Sequence, residues 1–340
     1  MGATIMDVAR YAGLSIGTVS KYINHKPVSP KNQQRIAEAI EKLDYQINDF
    51  ARGLRTATSM MIGLLVPGIV NIFTTSLIKA MEETLVHSNY SMILCNYDYS
   101  TDNLAQKLSF MRQKKVDGVI LLVGGNVDEK IKGIISDMQR AGTVFVFVNG
   151  EVEDIRANTV IVDTVSTIYD SVGLLIAQGH RRIGLFSAPK NTWNAREREE
   201  GYRRVFADYH LPVDERFLCL YGEDNTWQLT LKECCEAFLR ANEDTTAIVL
   251  PGYRLTLAGV HAIHRLGRKI GKDISVIGFD CGQINDVLDP VLTYVCLPAE
   301  EMAHSAVSLL LATLNHAETE PRIIRAKARI LPGDSIQPPI

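Results

Sequence analysis

From Met61 onward the chain alternates short apolar runs with longer stretches whose apolar residues recur at helical spacing. This alternation limits the possible folds more than any other feature. Met61–Pro67, Gly118–Val123, Val144–Val148, Ile183–Ser187, Ala247–Leu250 and Ser275–Phe279 carry no charge at all. Runs that short and that apolar read as strands buried on both faces, which is the habit of parallel sheets. Met92–Asn96, Val160–Asp163, Phe217–Tyr221 and Leu292–Leu297 extend the series. The intervening segments read as helices: Thr74–His87, Leu104–Lys114, Glu129–Ala141, Val165–Gln178, Arg196–Tyr209, Leu229–Ala241, Leu255–Leu266 and Ala299–Leu314. Strand–helix alternation of this kind gives an α/β fold with helices on both sheet faces. About nine such units exceed one compact sheet, so two doubly wound lobes are expected.

The first two dozen residues follow a different rule. Thr4 with Asp7 three residues on has the form of a capping box. Ile5, Val8, Ala9 and Ala12 then fall on one helical face. Gly13 suits a left-handed turn because it has no side chain to clash. Ser15 suits the cap of a second helix whose buried side is Val19 and Ile23. Its other side carries Ile16, Gly17, Thr18, Ser20, Lys21 and Asn24, mostly short or hydroxylated residues plus one cation. Helix-turn-helix units read bases mainly from the start of their second helix. Ile16, Gly17 and Lys21 are therefore the base-reading candidates, with Thr18, Ser20 and Asn24 suited to phosphates. On this pattern alone, an ordinary helical hairpin remains the alternative. Ser29-Pro30 opens a third helix with a buried stripe at Ile36, Ile40 and Leu43.

Charge supports this division. Residues 1–58 hold eight Lys/Arg against five Asp/Glu, and the remainder holds 28 against 34, inside a net charge of −3. A basic head on an acidic body suits a chain that touches nucleic acid with one end. The six cysteines form no Cys-x-x-Cys pair, which reads as reduced thiols rather than a metal site. No metal, cofactor or catalytic constellation is expected. The start of the chain has no basic-then-apolar leader, and no apolar run approaches the ~20 residues that span a bilayer. A cytoplasmic protein without a membrane partner is the expectation.

Residues 48–58 form a connector too short to be a stable helix alone. Gly53 weakens any helix there by about 1 kcal/mol relative to alanine.

Asp7-Val8-Ala9, Ala12-Gly13-Leu14-Ser15 and Thr18-Val19-Ser20-Lys21 resemble the opening of the LacI/GalR family of bacterial transcription regulators. The resemblance continues through nearly the whole chain. It implies a helix-turn-helix domain over 1–47, a hinge over 48–59, and a two-lobed effector-binding and dimerisation domain over 60–340 of periplasmic-binding-protein type. The implied first lobe takes about 60–161 and 293–324, and the second 162–292 and 325–340. In the hinge, the resemblance makes Leu54 a minor-groove wedge flanked by Arg52 and Arg55, and Gly53 departs from the pattern. The alternative there is a plain flexible linker.

Effector candidates lie at strand ends, where open parallel sheets bind ligands. Phe73 offers a stacking ring or packs its own helix. Asn149 offers an amide or merely turns the chain. By resemblance, Arg198 and Asp280 are ligand residues, against an ion-pair role for the first and a capping role for the second. Trp227 is a stacking plane or a core residue. Leu250-Pro251-Gly252-Tyr253-Arg254 departs from the Ala-Asn-Asp usual after this strand, so Tyr253 would narrow the crevice and alter the effector bound.

The resulting expectation is a DNA-binding regulator, a repressor by resemblance. It would act as a homodimer, or a tetramer, on a double-stranded operator under a sugar-like effector. A transport binding protein and a regulator signalled by a partner protein are the alternatives. No phosphate loop or nucleophile elbow supports an enzyme.

Overall fold

The computed structural model describes residues 3–23, 27–45, 58–125, 127–187, 192–219, 230–316 and 320–339. The chain divides into two compact units, Met1–Met60 and Met61–Ile340.

The first unit contains α1 (Ile5–Ala12), α2 (Ile16–Ile23) and α3 (Pro30–Lys42). They close over a small core of Val8, Ala9, Ala12, Val19, Ile36 and Ala39. Six buried side chains are few for a stable fold, so the local caps and turn matter here.

The second unit holds two six-stranded sheets. The first runs β11-β5-β4-β3-β1-β2. Its strands are β1 (Met61–Val66), β2 (Ser91–Asn96), β3 (Gly118–Leu122), β4 (Val144–Val148), β5 (Asn158–Val162) and β11 (Ile323–Ala326), all parallel. One face is covered by α4 (Ile72–His87) and α11 (Ala299–Leu314), the other by α5 (Thr101–Lys114) and α6 (Glu129–Arg140).

The second sheet runs β12-β10-β9-β8-β6-β7. It comprises β6 (Ile183–Phe186), β7 (Leu218–Cys219), β8 (Ala247–Val249), β9 (Ser275–Phe279), β10 (Thr293–Cys296) and β12 (Arg329–Leu331). Among the described residues only the β10–β12 pair of this sheet is antiparallel. Helices α7 (Thr164–Ala177) and α8 (Trp193–Asp208) cover one face; α9 (Leu231–Ala241) and α10 (Tyr253–Arg265) cover the other.

The chain therefore passes between lobes three times. The first passage lies at Asp163, between β5 and α7. The second lies at Leu297-Pro298 and not at 292–293, because β10 pairs with β9 inside the second sheet. This is a correction of a few residues with a topological consequence: residues 293–296 belong to the second lobe. The third lies at Lys327-Ala328, between β11 and β12. Leu297 and Ala328 pack against the cores of both lobes, as residues in shared crossovers must. Strands β11 and β12 were not expected; they are short, and both are half-exposed at sheet edges.

Candidate DNA-reading and effector sites

In the head, Thr4 and Asp7 form the capping box in full. The Asp7 N–H donates to Thr4 Oγ1 at 3.3 Å, and the Thr4 N–H donates to Asp7 Oδ2 at 3.0 Å. The Thr4 hydroxyl also donates to Asp7 Oδ2, at 2.6 Å, and with the Thr4 N–H it holds the Asp7 carboxyl below its usual range. Gly13 takes φ +61°, ψ +40°, and the Leu14 N–H behind it returns to the Ala9 carbonyl at 3.0 Å. That left-handed step turns the chain into α2. Ser15 Oγ then accepts from the Thr18 N–H at 3.2 Å. Its hydroxyl also lies 2.9 Å from that of Thr18.

This geometry leaves Ile16 46% exposed, with Gly17 and Lys21 exposed beside it. A Cβ on Gly17 would meet only Ser15 Oγ, at 3.8 Å, so packing within the head does not require glycine there. Thr18 is half-buried. Ser20 differs from the reading from spacing: it is only 8% exposed, although spacing puts it on the outer face. Asn24, and the hinge residues Arg52, Leu54 and Arg55, lie outside the described residues. Met6 and Tyr11 were not singled out by sequence, yet both are exposed on α1.

In the body, parallel pairing puts the carboxyl ends of each sheet's parallel strands at one edge. Asp280 ends β9 at φ +53°. Its N–H donates to the Val295 carbonyl at 2.9 Å, and its Oδ1 accepts from the Leu297 N–H at 3.2 Å. Burial beside the crossover pushes its carboxyl up to about 7, and the Leu297 bond opposes this. Asn149 ends β4 at φ +64°, and its N–H donates to the Val160 carbonyl at 2.9 Å. Asparagine and aspartate tolerate this left-handed backbone better than most residues.

Arg198 is half-buried on α8. Tyr253 is half-buried at the first position of α10, behind Gly252 at φ +143°. Phe73 follows the packing alternative: it is 6% exposed and belongs to the first-lobe core with Leu77 and Ala80. Trp227 lies outside the described residues.

Several contributors were missed from sequence. Tyr99 lies in the loop after β2 of the first lobe, at φ +56°. Burial raises its phenol, and the charges of Arg254 and Arg198 pull it back down. Glu197 on α8 lies 3.6 Å from Arg325 on β11, whose guanidinium also lies 3.8 Å from Glu151. Burial raises the Glu197 carboxyl; Arg325 lowers it, while Glu151 and Asp163 raise it further. Arg196 and Glu153 make a second ion pair between the lobes, at 2.7 Å. No spacing signal in one lobe marks a partner in the other.

His180 is a tie, not a site. Its Nδ1 lies 2.9 Å from Thr246 Oγ1, and its Nε2 lies 3.0 Å from Ser275 Oγ and 2.9 Å from the Gln337 carbonyl. Burial lowers its pKa. Among the described residues no cluster of His, Cys, Asp or Glu is arranged to hold a metal, and no helix is long and apolar enough to cross a membrane.

A helix-turn-helix unit and two parallel-sheet lobes in one chain are the parts of a ligand-responsive DNA-binding protein. Residues 4–48 match the profile of bacterial regulatory proteins of the lacI family, and residues 172–336 match the periplasmic binding protein-like domain. Catabolite control protein A of Priestia megaterium is 29% identical over 97% of this chain and 98% of its own. The HTH-type transcriptional repressor PurR of Vibrio parahaemolyticus is 28% identical over 98% and 99%. A lac repressor dimer bound to operator and the anti-inducer ONPF superposes with a TM-score of 0.83, at 20% identity, over 98% of this chain and 99% of that one. A CelR–cellobiose complex gives a TM-score of 0.73 at 23% identity, over 98% and 99%. The chain carries a lacI-family DNA-binding domain and a periplasmic-binding-protein-like effector-binding domain, and its homologues are transcription regulators.

Proposed function

We propose that this chain is a cytoplasmic repressor, acting as a homodimer on a near-palindromic operator, and that a sugar-like effector between its lobes sets operator affinity. One observation carries the reading. The Gly13 turn leaves Ile16, Gly17 and Lys21 exposed at the start of α2, and Asn149 and Asp280 follow strands of the two lobes in the left-handed conformation. Ile16, Gly17 and Lys21 read base edges, and Thr18 and Asn24 seat the backbone. Ser20 is left to pack α2. Leu54, with Arg52 and Arg55, opens the minor groove at the hinge. Asn149 and Asp280 bond effector hydroxyls, Arg198 supplies a forked donor, and Tyr253 narrows the space. The effector works by favouring one lobe angle, which couples its site to the operator.

Relatives support the sugar-like class: solved structures of this fold are complexes with cellobiose and with D-xylulofuranose. The test is selection of bound sequences from random duplex DNA by the full chain, repeated with Lys21→Ala. A near-palindromic consensus that Lys21→Ala relaxes at one position of each half-site is expected. Salt-insensitive binding, or no consensus, overturns the reading.

A further inference from the structure

The outer side of α2 is poor in hydrogen-bonding groups. Its exposed residues are Ile16, Gly17 and Lys21. The two hydroxyls at the helix start serve each other: Ser15 Oγ and Thr18 Oγ1 lie 2.9 Å apart, and Ser15 Oγ also accepts the Thr18 N–H at 3.2 Å. Ser20 is 8% exposed. Within α2, Lys21 is therefore the one exposed side chain able to hydrogen-bond a base edge.

The major groove offers a different group for each base. Adenine is matched by asparagine or glutamine, the amino group of cytosine by aspartate or glutamate, guanine by arginine or lysine, and thymine by apolar contact with its 5-methyl group. Ile16–Ile23 contains no Asn, Gln, Asp, Glu or Arg. It does present a large apolar side chain, Ile16, at the first helical position and 46% exposed. Apolar contact is the only readout open to that side chain. Gly17 beside it is bare, and a Cβ there would meet only Ser15 Oγ, at 3.8 Å. Glycine weakens a helix interior, and packing within the head gives no reason for it. Its use is to let the helix backbone approach another surface closely. Lys21 stands one turn beyond Gly17, about 6 Å along the axis, and suits a guanine about two base steps further on.

We propose that the head reads the 5-methyl group of a pyrimidine, supplied by thymine or by 5-methylcytosine, with Ile16 packed on it over the bare Gly17. The methyl group alone decides that step, because neither side chain can hydrogen-bond the O4 or N4 that separates the two bases. Methylation of a cytosine there strengthens binding. This deepens the DNA-reading role proposed above and rests on it.

Duplexes bearing the selected consensus test it, with thymine, uracil, cytosine or 5-methylcytosine at each half-site pyrimidine in turn, paired with adenine or guanine as required. Affinity of the full chain is read by fluorescence anisotropy at fixed salt. At one position thymine and 5-methylcytosine should bind alike, each about four-fold more tightly per half-site than uracil and cytosine, the scale of burying one methyl group. Ile16→Ala should level the four duplexes, and Ile16→Val should keep part of the preference. Lys21→Ala should weaken all four and leave their ratios. Ile16 lies outside the head's core, and unchanged limited proteolysis of residues 3–45 checks that each variant is folded. Uracil binding as well as thymine at every position overturns the methyl readout. So does 5-methylcytosine falling with cytosine, which means that the polar edge of the base is read, and so does a methyl preference that survives Ile16→Ala. Selection of no consensus at all overturns the DNA-reading role itself, and the methyl readout with it.

Discussion

Arg325 on β11 stands 3.6 Å from Glu197 on α8, so a guanidinium of the first lobe balances a carboxylate of the second. The same guanidinium lies 3.8 Å from Glu151. One cation thus serves two carboxylates at the side where the crossovers run. Glu197 Oε2 is buried without a hydrogen bond, which makes its compensation depend on Arg325.

Arg325→Ala should therefore destabilise the body by about 1–2 kcal/mol at neutral pH, the usual scale for leaving a part-buried charge unbalanced. Burial already raises the folded-state pKa of Glu197, and losing Arg325 would raise it further. A raised carboxyl contributes stability that is fully present below its unfolded value and lost as pH rises through the folded one. The gap between wild type and Arg325→Ala should then be wider at pH 7.5 than at pH 4.5 in urea midpoints. An equal gap at both values would mean that Arg325 acts through packing alone.

The head gives a sharper local test. Gly13 at φ +61° would force any other L-residue into strain, and an added Cβ would also stand 2.7 Å from Arg35 Nη2. The Arg35 end is flexible, so the backbone term dominates. Gly13→Ala should cost the head about 1–2 kcal/mol, a large part of what six core residues can supply. Gly13→Asn should cost less, because asparagine enters this region more readily. Limited proteolysis should cleave residues 3–45 faster in Gly13→Ala than in Gly13→Asn, with cleavage of the body unchanged. Equal cleavage rates across all three proteins would remove the turn's role.

These two cases mark what was legible in the chain. The head's turn and its capping box are local: Thr4, Asp7, Gly13 and Ser15 act on neighbours within a few residues, and local rules find them. The buried strands were legible because an uncharged apolar run has few places to go. Sheet membership was not. Leu292–Leu297 reads as a strand, but nothing in its residues says that it continues the second sheet rather than entering the first. Strands β11 and β12 escaped because edge strands keep exposed and charged residues, Arg325 and Arg329 among them. Ser20 escaped because three helices close more of α2 than one apolar stripe suggests. Glu197 and Arg325 had no signal at all, since each acquires its meaning from a residue in the other lobe.

Asp280 offers a measurement tied to the ligand crevice. Its carboxyl is pushed up to about 7 by burial, far above an unfolded aspartate. Protonation therefore favours the folded body. The stabilising contribution is complete below about pH 4, declines as pH rises through about 7, and is absent above that. Asp280→Asn keeps an oxygen to accept the Leu297 N–H and cannot ionise. Relative to wild type, Asp280→Asn should be close in stability at pH 5 and more stable at pH 8, by an amount on the order of a few kcal/mol. Urea midpoints of the two proteins at pH 5, 6, 7 and 8 report this directly. A difference between them that stays constant over that range would mean that the carboxyl ionises normally and that the crevice floor is wetter than its geometry implies.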